Sequence, residues 1–171
     1  VLTVSDDYTA KVWDSTLRPV EFADEYLDVF SLNFSPDGRR ICGRRIGEHT
    51  ANVWDSSNGN KLLTLAGHSK EVTLAIFSPD GKHILTGSWD ETVRIWDSET
   101  GHEQHRLVNP AGVVVKGEFS PDAAHLLTVT SEGSVRIWDV QTGKEMISIA
   151  VPTNDVKSYG VIAHFAPNGK Q

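Results

Sequence analysis

One cysteine, Cys42, and one methionine, Met146, are all the sulfur in the 171-residue chain. A lone thiol excludes an internal disulfide, the usual staple of small secreted domains, and fits a reducing compartment, so the cytoplasm is the expected location. Long hydrophobic runs are also missing. No stretch approaches the roughly 18 apolar residues of a membrane helix, and no charged-then-apolar leader precedes a small-residue cleavage site; neither membrane nor secretion is expected. Basic charge is scarce, 16 Lys and Arg against 23 Asp and Glu for a formal charge of −7. That is the wrong sign for a phosphate-backbone binder, so nucleic acid is not an expected partner. Neither G-x-G-x-x-G nor G-x-x-x-x-G-K-[ST] occurs, and nucleotide chemistry has no support. What remains is a globular balance, 39% hydrophobic and 23% charged with 14 Gly and 7 Pro, in a length that suits one domain.

Self-similarity organises the chain. The pairs Trp13-Asp14, Trp54-Asp55, Trp96-Asp97 and Trp138-Asp139 are spaced by 41, 42 and 42 residues. A second landmark keeps the same phase: Phe34-Ser-Pro-Asp-Gly, Phe77-Ser-Pro-Asp-Gly, Phe119-Ser-Pro-Asp-Ala and Phe165-Ala-Pro-Asn-Gly. A third, Asn58-Gly59, Thr100-Gly101 and Thr142-Gly143, follows each of the last three Trp-Asp pairs. Between these marks the segments are short and alternate in polarity, as in Thr73 to Phe77, Lys82 to Ser88, Thr92 to Trp96 and Glu103 to Leu107, and each reads as a strand. Pro-Asp-Gly and Thr-Gly make tight turns, because Pro presets φ and Gly takes φ > 0. Each unit is thus a four-stranded antiparallel meander. One such meander cannot bury both faces alone, so the units must stack, and the expected fold is all-β, a β-propeller.

These residues resemble the WD40-repeat propellers over essentially the whole chain, which makes about four WD40 repeats. In that family a Gly-His dipeptide opens the repeat and Trp-Asp closes its third strand, and one unit keeps the set: Gly67-His68, Ser88, Asp90 and Trp96. The resemblance implies a buried structural tetrad of His68, Ser88, Asp90 and Trp96, in which Asp90 holds the His ring, the ring reaches the Ser hydroxyl, and the hydroxyl reaches the indole N–H. The other units depart from it. Glu25 and Pro110 stand where His68 is expected; the turn acid is Asp7, Glu48, Asp90 or Glu132; the Ser position holds Ser5, Ile46, Ser88 or Thr130. The second unit keeps least, so its stability is expected to rest on packing of Phe34, Ile41, Val53 and Trp54.

The expected blades run over about residues 26–65, 68–107 and 112–149, with a partial blade at 1–22 and the first strand of a further one at about 156–171. Lys170 and Gln171 fall on the positions of Lys82 and His83, and Val1 on that of Ile84. A WD40 blade's taper suits about seven blades, so the expectation is an arc of a larger propeller, with a closed four-bladed ring and a dimer of arcs as rivals. An open arc exposes apolar faces and strand edges, and the isolated segment is expected to self-associate.

Chemistry finds little purchase. His68, Ser88 and Asp90 have the residue types of a hydrolase triad, but Ser88 sits in Thr-Gly-Ser-Trp-Asp on a strand and lacks a nucleophile elbow, so the reading is structural and no catalytic residue is assigned. His102 and His105 lack a third ligand, and neither metal nor cofactor is expected. Arg39, Arg40, Arg44 and Arg45 form the one basic cluster, read as a solvated strand beside the acidic stretch Glu21 to Asp28. The remaining possibility is surface recognition. In this strand order the loops joining successive units share one end, here called the top, with the turns between second and third strands. The resemblance implies that this top face docks proteins or peptides. The residue before the turn acid is Asp6, Gly47, Trp89 or Ser131. Trp89 is the single large aromatic, with Lys70, Glu71, Tyr26 and Asp28 as its expected polar rim. The expected function is therefore a non-catalytic protein-interaction scaffold; the alternative is a regulatory propeller segment of a larger enzyme, such as a kinase or protease.

Overall fold

The computed structural model describes residues 2–4, 10–13, 19–21, 32–109, 111–151 and 161–166, and no helix occurs among them. The Ser-Pro-Asp-Gly turns show why the strands reverse where they do. The Ser78 hydroxyl donates to Asp80 Oδ1 at 2.6 Å and accepts from the His83 amide at 3.0 Å, while the Lys82 amide donates to the same Asp80 oxygen at 3.1 Å. Ser35 and Asp37 repeat the device, as do Ser120 and Asp122. At the other turn of this end, Asp97 Oδ1 accepts from the Thr100 amide at 2.8 Å and the Thr100 hydroxyl at 2.7 Å, and Asp139 does the same for Thr142. Asp55, Asp97 and Asp139 of the Trp-Asp pairs therefore each cap the turn that follows.

Among the described residues fifteen strands form four antiparallel meanders. The first sheet has three strands, β1 (Leu2–Val4), β2 (Ala10–Trp13) and β3 (Pro19–Glu21). The second holds β4 (Asn33–Phe34), β5 (Arg40–Arg44), β6 (Thr50–Asp55) and β7 (Lys61–Ala66). The third holds β8 (Val72–Phe77), β9 (His83–Ser88), β10 (Thr92–Asp97) and β11 (Glu103–Val108). The fourth holds β12 (Val114–Phe119), β13 (His125–Thr130), β14 (Ser134–Asp139) and β15 (Glu145–Ala150). Three four-stranded blades in sequence make the chain a partial, unclosed β-propeller. In every blade the register between third and fourth strands slips just before the tryptophan, at Val53/Trp54, Ile95/Trp96 and Ile137/Trp138.

The core lies between blades. Trp96 packs with Cys42, Ala51, Val53 and Leu65 of the preceding blade, and Trp138 joins Leu85, Val93, Ile95 and Leu107 in the same way. An aromatic so placed is worth about 3–5 kcal/mol against Ala. Gly117 marks the closest approach: a Cβ there would stand 2.4 Å from a Leu85 methyl of the neighbouring blade. Innermost strands do not pair with one another, and side chains bridge them instead. Asn33 Nδ2 donates to the Ala75 carbonyl at 3.0 Å, Thr73 Oγ1 to the Val114 carbonyl at 3.1 Å, and Lys116 Nζ to the Ala163 carbonyl at 2.6 Å. Val161, Ala163 and Phe165 pack at strand periodicity on Leu127, Val129 and Val135.

Two expectations change. Phe34 is not a core residue of its blade but 37% exposed; Cys42, Ala51 and Leu65 join Ile41, Val53 and Trp54 there. The basic cluster is not simply a solvated strand. Arg40 reaches across the junction to the Ser98 carbonyl and lies 5.3 Å from the Phe77 ring centroid, and Arg44 pairs with Glu71 at 2.7 Å. Two of its four cations thus bolt one blade to the next. Of the expected acidic stretch, residues 22–28 lie outside the described residues.

Candidate functional site

His68 sits in the loop between β7 and β8 with its side chain wholly buried, and Asp90 in the β9–β10 turn is nearly so. The ring Nδ1 lies 3.0 Å from Asp90 Oδ2, and Nε2 lies 2.8 Å from Thr86 Oγ1. The Trp96 indole N–H donates to the same Thr86 oxygen at 2.8 Å. One proton order satisfies all of this: indole N–H to Thr86, Thr86 O–H to Nε2, and Nδ1–H to Asp90. The hydroxyl of the tetrad is therefore that of Thr86, and the expected Ser88 is displaced from it. Register gives the reason. Trp96 stands opposite Ile84, so Thr86 is its diagonal neighbour on the same face, while Ser88 lies two residues farther, roughly 7 Å along the strand. Ser88 Oγ instead donates to the Lys70 carbonyl and accepts from the Asp90 amide, each at 3.1 Å. It has no bond to His68, so the triad geometry of a hydrolase does not form.

Gly67 lies close beneath the side chains that pass over it. A Cβ would meet the Arg94 guanidinium at 2.5 Å and both Glu103 and the Trp96 ring at 3.1 Å, and Arg94 is itself paired with Glu103. Burial opposes ionisation of Asp90, yet hydrogen bonds from Thr92, the Ser69 amide and His68 outweigh it and hold the carboxyl well below the usual carboxylate range. Burial lowers the affinity of His68 for a proton, against the opposing pull of Asp90. The neighbouring blade keeps half the device: Trp138 donates to Thr128 at 3.0 Å, whereas Pro110, in the position of His68, is outside the described residues.

This network supports a surface. Trp89, in the same turn as Asp90, is 53% exposed, and its amide donates to the Glu71 carbonyl at 3.0 Å. Lys70 is exposed and Glu71 half-buried beside it. Of the predicted rim, Tyr26 and Asp28 lie outside the described residues. The sequence reading missed Ile46, which is 55% exposed in the corresponding turn of the preceding blade; the Glu48 carbonyl of that turn accepts the Val72 amide at 3.0 Å. The Glu71–Val72 backbone is thus bonded from both sides, by Trp89 of its own blade and Glu48 of the preceding one. The available signal was spacing: Phe34 to Trp54 is 20 residues where Phe77 to Trp96 is 19. The extra residue lengthens this turn, puts Gly43 opposite Asn52 as Thr86 is opposite Arg94, and takes Ile46 out of the hydroxyl position.

At the opposite end a groove of about 650 Å³ lies between blades, lined by Asp37, Arg40, Asp80, His83 and Glu99 among others. Its groups are largely committed: Asp37 and Asp80 cap their own turns, Arg40 holds Ser98, and His83 meets Gln104 at 2.8 Å. Among the described residues no three His, Cys, Asp or Glu side chains are grouped to hold a metal ion. His102 is exposed and the His105 ring meets the Gln141 carbonyl at 2.9 Å across the blade junction. Cys42 is buried, and burial pushes its thiol pKa up, away from the thiolate.

The family model described as "WD domain, G-beta repeat" matches residues 59–97 and 100–139. Each match covers the last strand of one blade and the first three of the next, so sequence repeat and structural blade are one strand out of phase. The chain is 35% identical over 92 residues to the guanine nucleotide-binding protein subunit beta-5b of Danio rerio, covering 52% of this chain and 23% of that protein. It is 43% identical over 75 residues to the guanine nucleotide-binding protein subunit beta of Saccharomyces cerevisiae, covering 41% and 17%. It is 31% identical over 86 residues to transcription initiation factor TFIID subunit 5 of Caenorhabditis elegans, covering 49% and 13%. The aligned stretch spans less than a quarter of each of these relatives.

Proposed function

Because this chain carries WD40 repeats of the G-beta type, we propose that it is a non-catalytic scaffold whose top face docks a protein or peptide in the cytoplasm. The observation that carries the reading is Trp89. Its backbone is fixed by the Glu71 carbonyl and its neighbour Asp90 is locked to His68, yet its indole remains 53% exposed. A rigidly mounted, half-exposed Trp loses little entropy on binding and suits an interface hot spot. Lys70 and Glu71 form the polar rim and Ile46 a second apolar contact; Tyr26 and Asp28 complete the rim in the proposal. The four repeats are read as an arc of a propeller of about seven blades, and the isolated segment as self-associating.

Affinity capture with the wild-type chain and with Trp89→Ala tests the site. Loss of a hot-spot Trp costs about 2 kcal/mol or more, roughly 30-fold in Kd. Capture of the same partners at undiminished affinity by Trp89→Ala would remove Trp89 from the proposal.

A further inference from the structure

We propose that His68 is an acid-released catch beneath the Trp89 surface, so that acidification frees the His68–Glu71 loop and the Ser88–Thr92 turn together. As a statement about partner binding this rests on the preceding reading; as a statement about the two segments it does not.

The geometry is a root with two branches. Asp90 Oδ2 accepts from both the His68 ring and the Ser69 amide at 3.0 Å, and Asp90 Oδ1 accepts from the Thr92 hydroxyl at 2.6 Å and the Thr92 amide at 3.0 Å. Ser88 ties the Lys70 carbonyl to the Asp90 amide, and Trp89 ties its own amide to Glu71. Both exposed segments are thereby fastened to one buried carboxylate, which the imidazole orients from below.

A second proton on the ring has no place in this arrangement. Nε2 is the acceptor for the Thr86 hydroxyl, and Thr86 is fully buried. With Nε2 protonated, the Thr86 oxygen receives two N–H donors, from His68 and Trp96, and its own proton loses its acceptor. The charged groups acting on the ring are Asp90 from the turn, Arg94 from β10 and Glu103 from β11. Arg94 and Glu103 largely neutralise each other, and Asp90 already accepts from three residues. Burial weights the balance further toward the neutral ring. A histidine that binds its proton more weakly in the closed form holds the catch above its free value, near pH 6.5, and releases it progressively as the pH falls below that.

The adjoining blade is a built-in control, since Pro110 replaces the histidine while its turn is closed by the Ser131 amide on the Val113 carbonyl and the Gly133 amide on the Thr130 carbonyl. Amide exchange and His68 ring resonances are followed by NMR from about pH 7 to about pH 5. The amides of Ser69, Trp89 and Thr92 are expected to lose protection about tenfold after correction for intrinsic exchange. Those of Ser131 and Gly133 should hold theirs. His68→Gln, which can still donate to Asp90 and accept from Thr86, should abolish the difference. If that variant does not fold, the wild-type profile decides. His68 titrating while the three amides keep their protection overturns the proposal, as does an equal loss of protection at Ser131 and Gly133. Because no partner is present, a failed Trp89→Ala binding test leaves this result untouched.

Discussion

Single residues in this chain carry conformational costs that the repeat makes visible. Glu91 has φ of 63° where the equivalent turn of the next blade has Gly133 at 81°, and Ala123 has φ of 58° where Gly38 and Gly81 stand at 71° and 72°. The left-handed region costs a non-glycine residue roughly 1–2 kcal/mol, of which glycine's freer unfolded chain returns about 0.4–1 kcal/mol. Glu91 is exposed, so Glu91→Gly loses no packing and should stabilise by about 0.5 kcal/mol, a rise in Tm of roughly 1–2 °C for a chain of this size. Ala123 is 6% exposed, and losing its buried methyl cancels the gain, so Ala123→Gly should leave Tm nearly unchanged. Thermal scans of both variants check the pair; equal shifts would mean that the buried methyl of Ala123 does not offset the relief of strain. The same scale shows the limit of reading a tetrad from sequence. His68, Asp90 and Trp96 were legible through the resemblance to the WD40 repeat, whose pattern this unit keeps. Thr86 was not, because Thr86 and Ser88 both carry a hydroxyl on the same face of one strand, and only the cross-strand register assigns it.

At the scale of the blade, strand order and turn chemistry were legible because each turn is built from its own residues: a Ser, an Asp and a Gly suffice wherever they recur. Relations between blades were not. Arg40 and Arg44 read as a surface cluster, since nothing local announces that their partners, Ser98 and Glu71, lie in the next unit. The β4–β7 blade shows what survives when the local pattern is lost. Gly43 stands where Thr86 and Thr128 supply hydroxyls, so the tetrad cannot be built, although Ile41, Cys42, Ala51, Val53 and Leu65 are fully buried. A blade without the buried Thr hydroxyl and His ring of the tetrad rests more on apolar packing and is expected to open more readily by a local route. Amides of β5 and β6 should therefore exchange fastest among equivalent strands of the three four-stranded blades. Finding them the most protected would show that apolar packing alone sets blade stability.

The whole molecule is a stack whose cohesion comes from each blade covering the one before it. Leu65 and Leu107 occupy equivalent places on the fourth strands β7 and β11 and are 0% and 3% exposed, because Trp96 and Trp138 of the following blades lie over them. Ile149 is the next member of that series on β15, and it is 52% exposed; Met146 and Ile147 beside it are 54% and 46% exposed. An apolar, β-branched strand face of this kind favours association, and a formal charge of −7 spread over 171 residues is screened beyond about 10 Å at ordinary salt. The 18.8 kDa chain, prepared alone, is therefore expected to sediment as dimers or larger species in proportion to its concentration. Ile149→Lys should shift the distribution toward monomer, since a buried charge in that face is costly and an exposed one is not. A monodisperse monomer at all concentrations would mean that the face is covered from within the chain, as ring closure would do. Association unchanged by Ile149→Lys would place the contact on another edge.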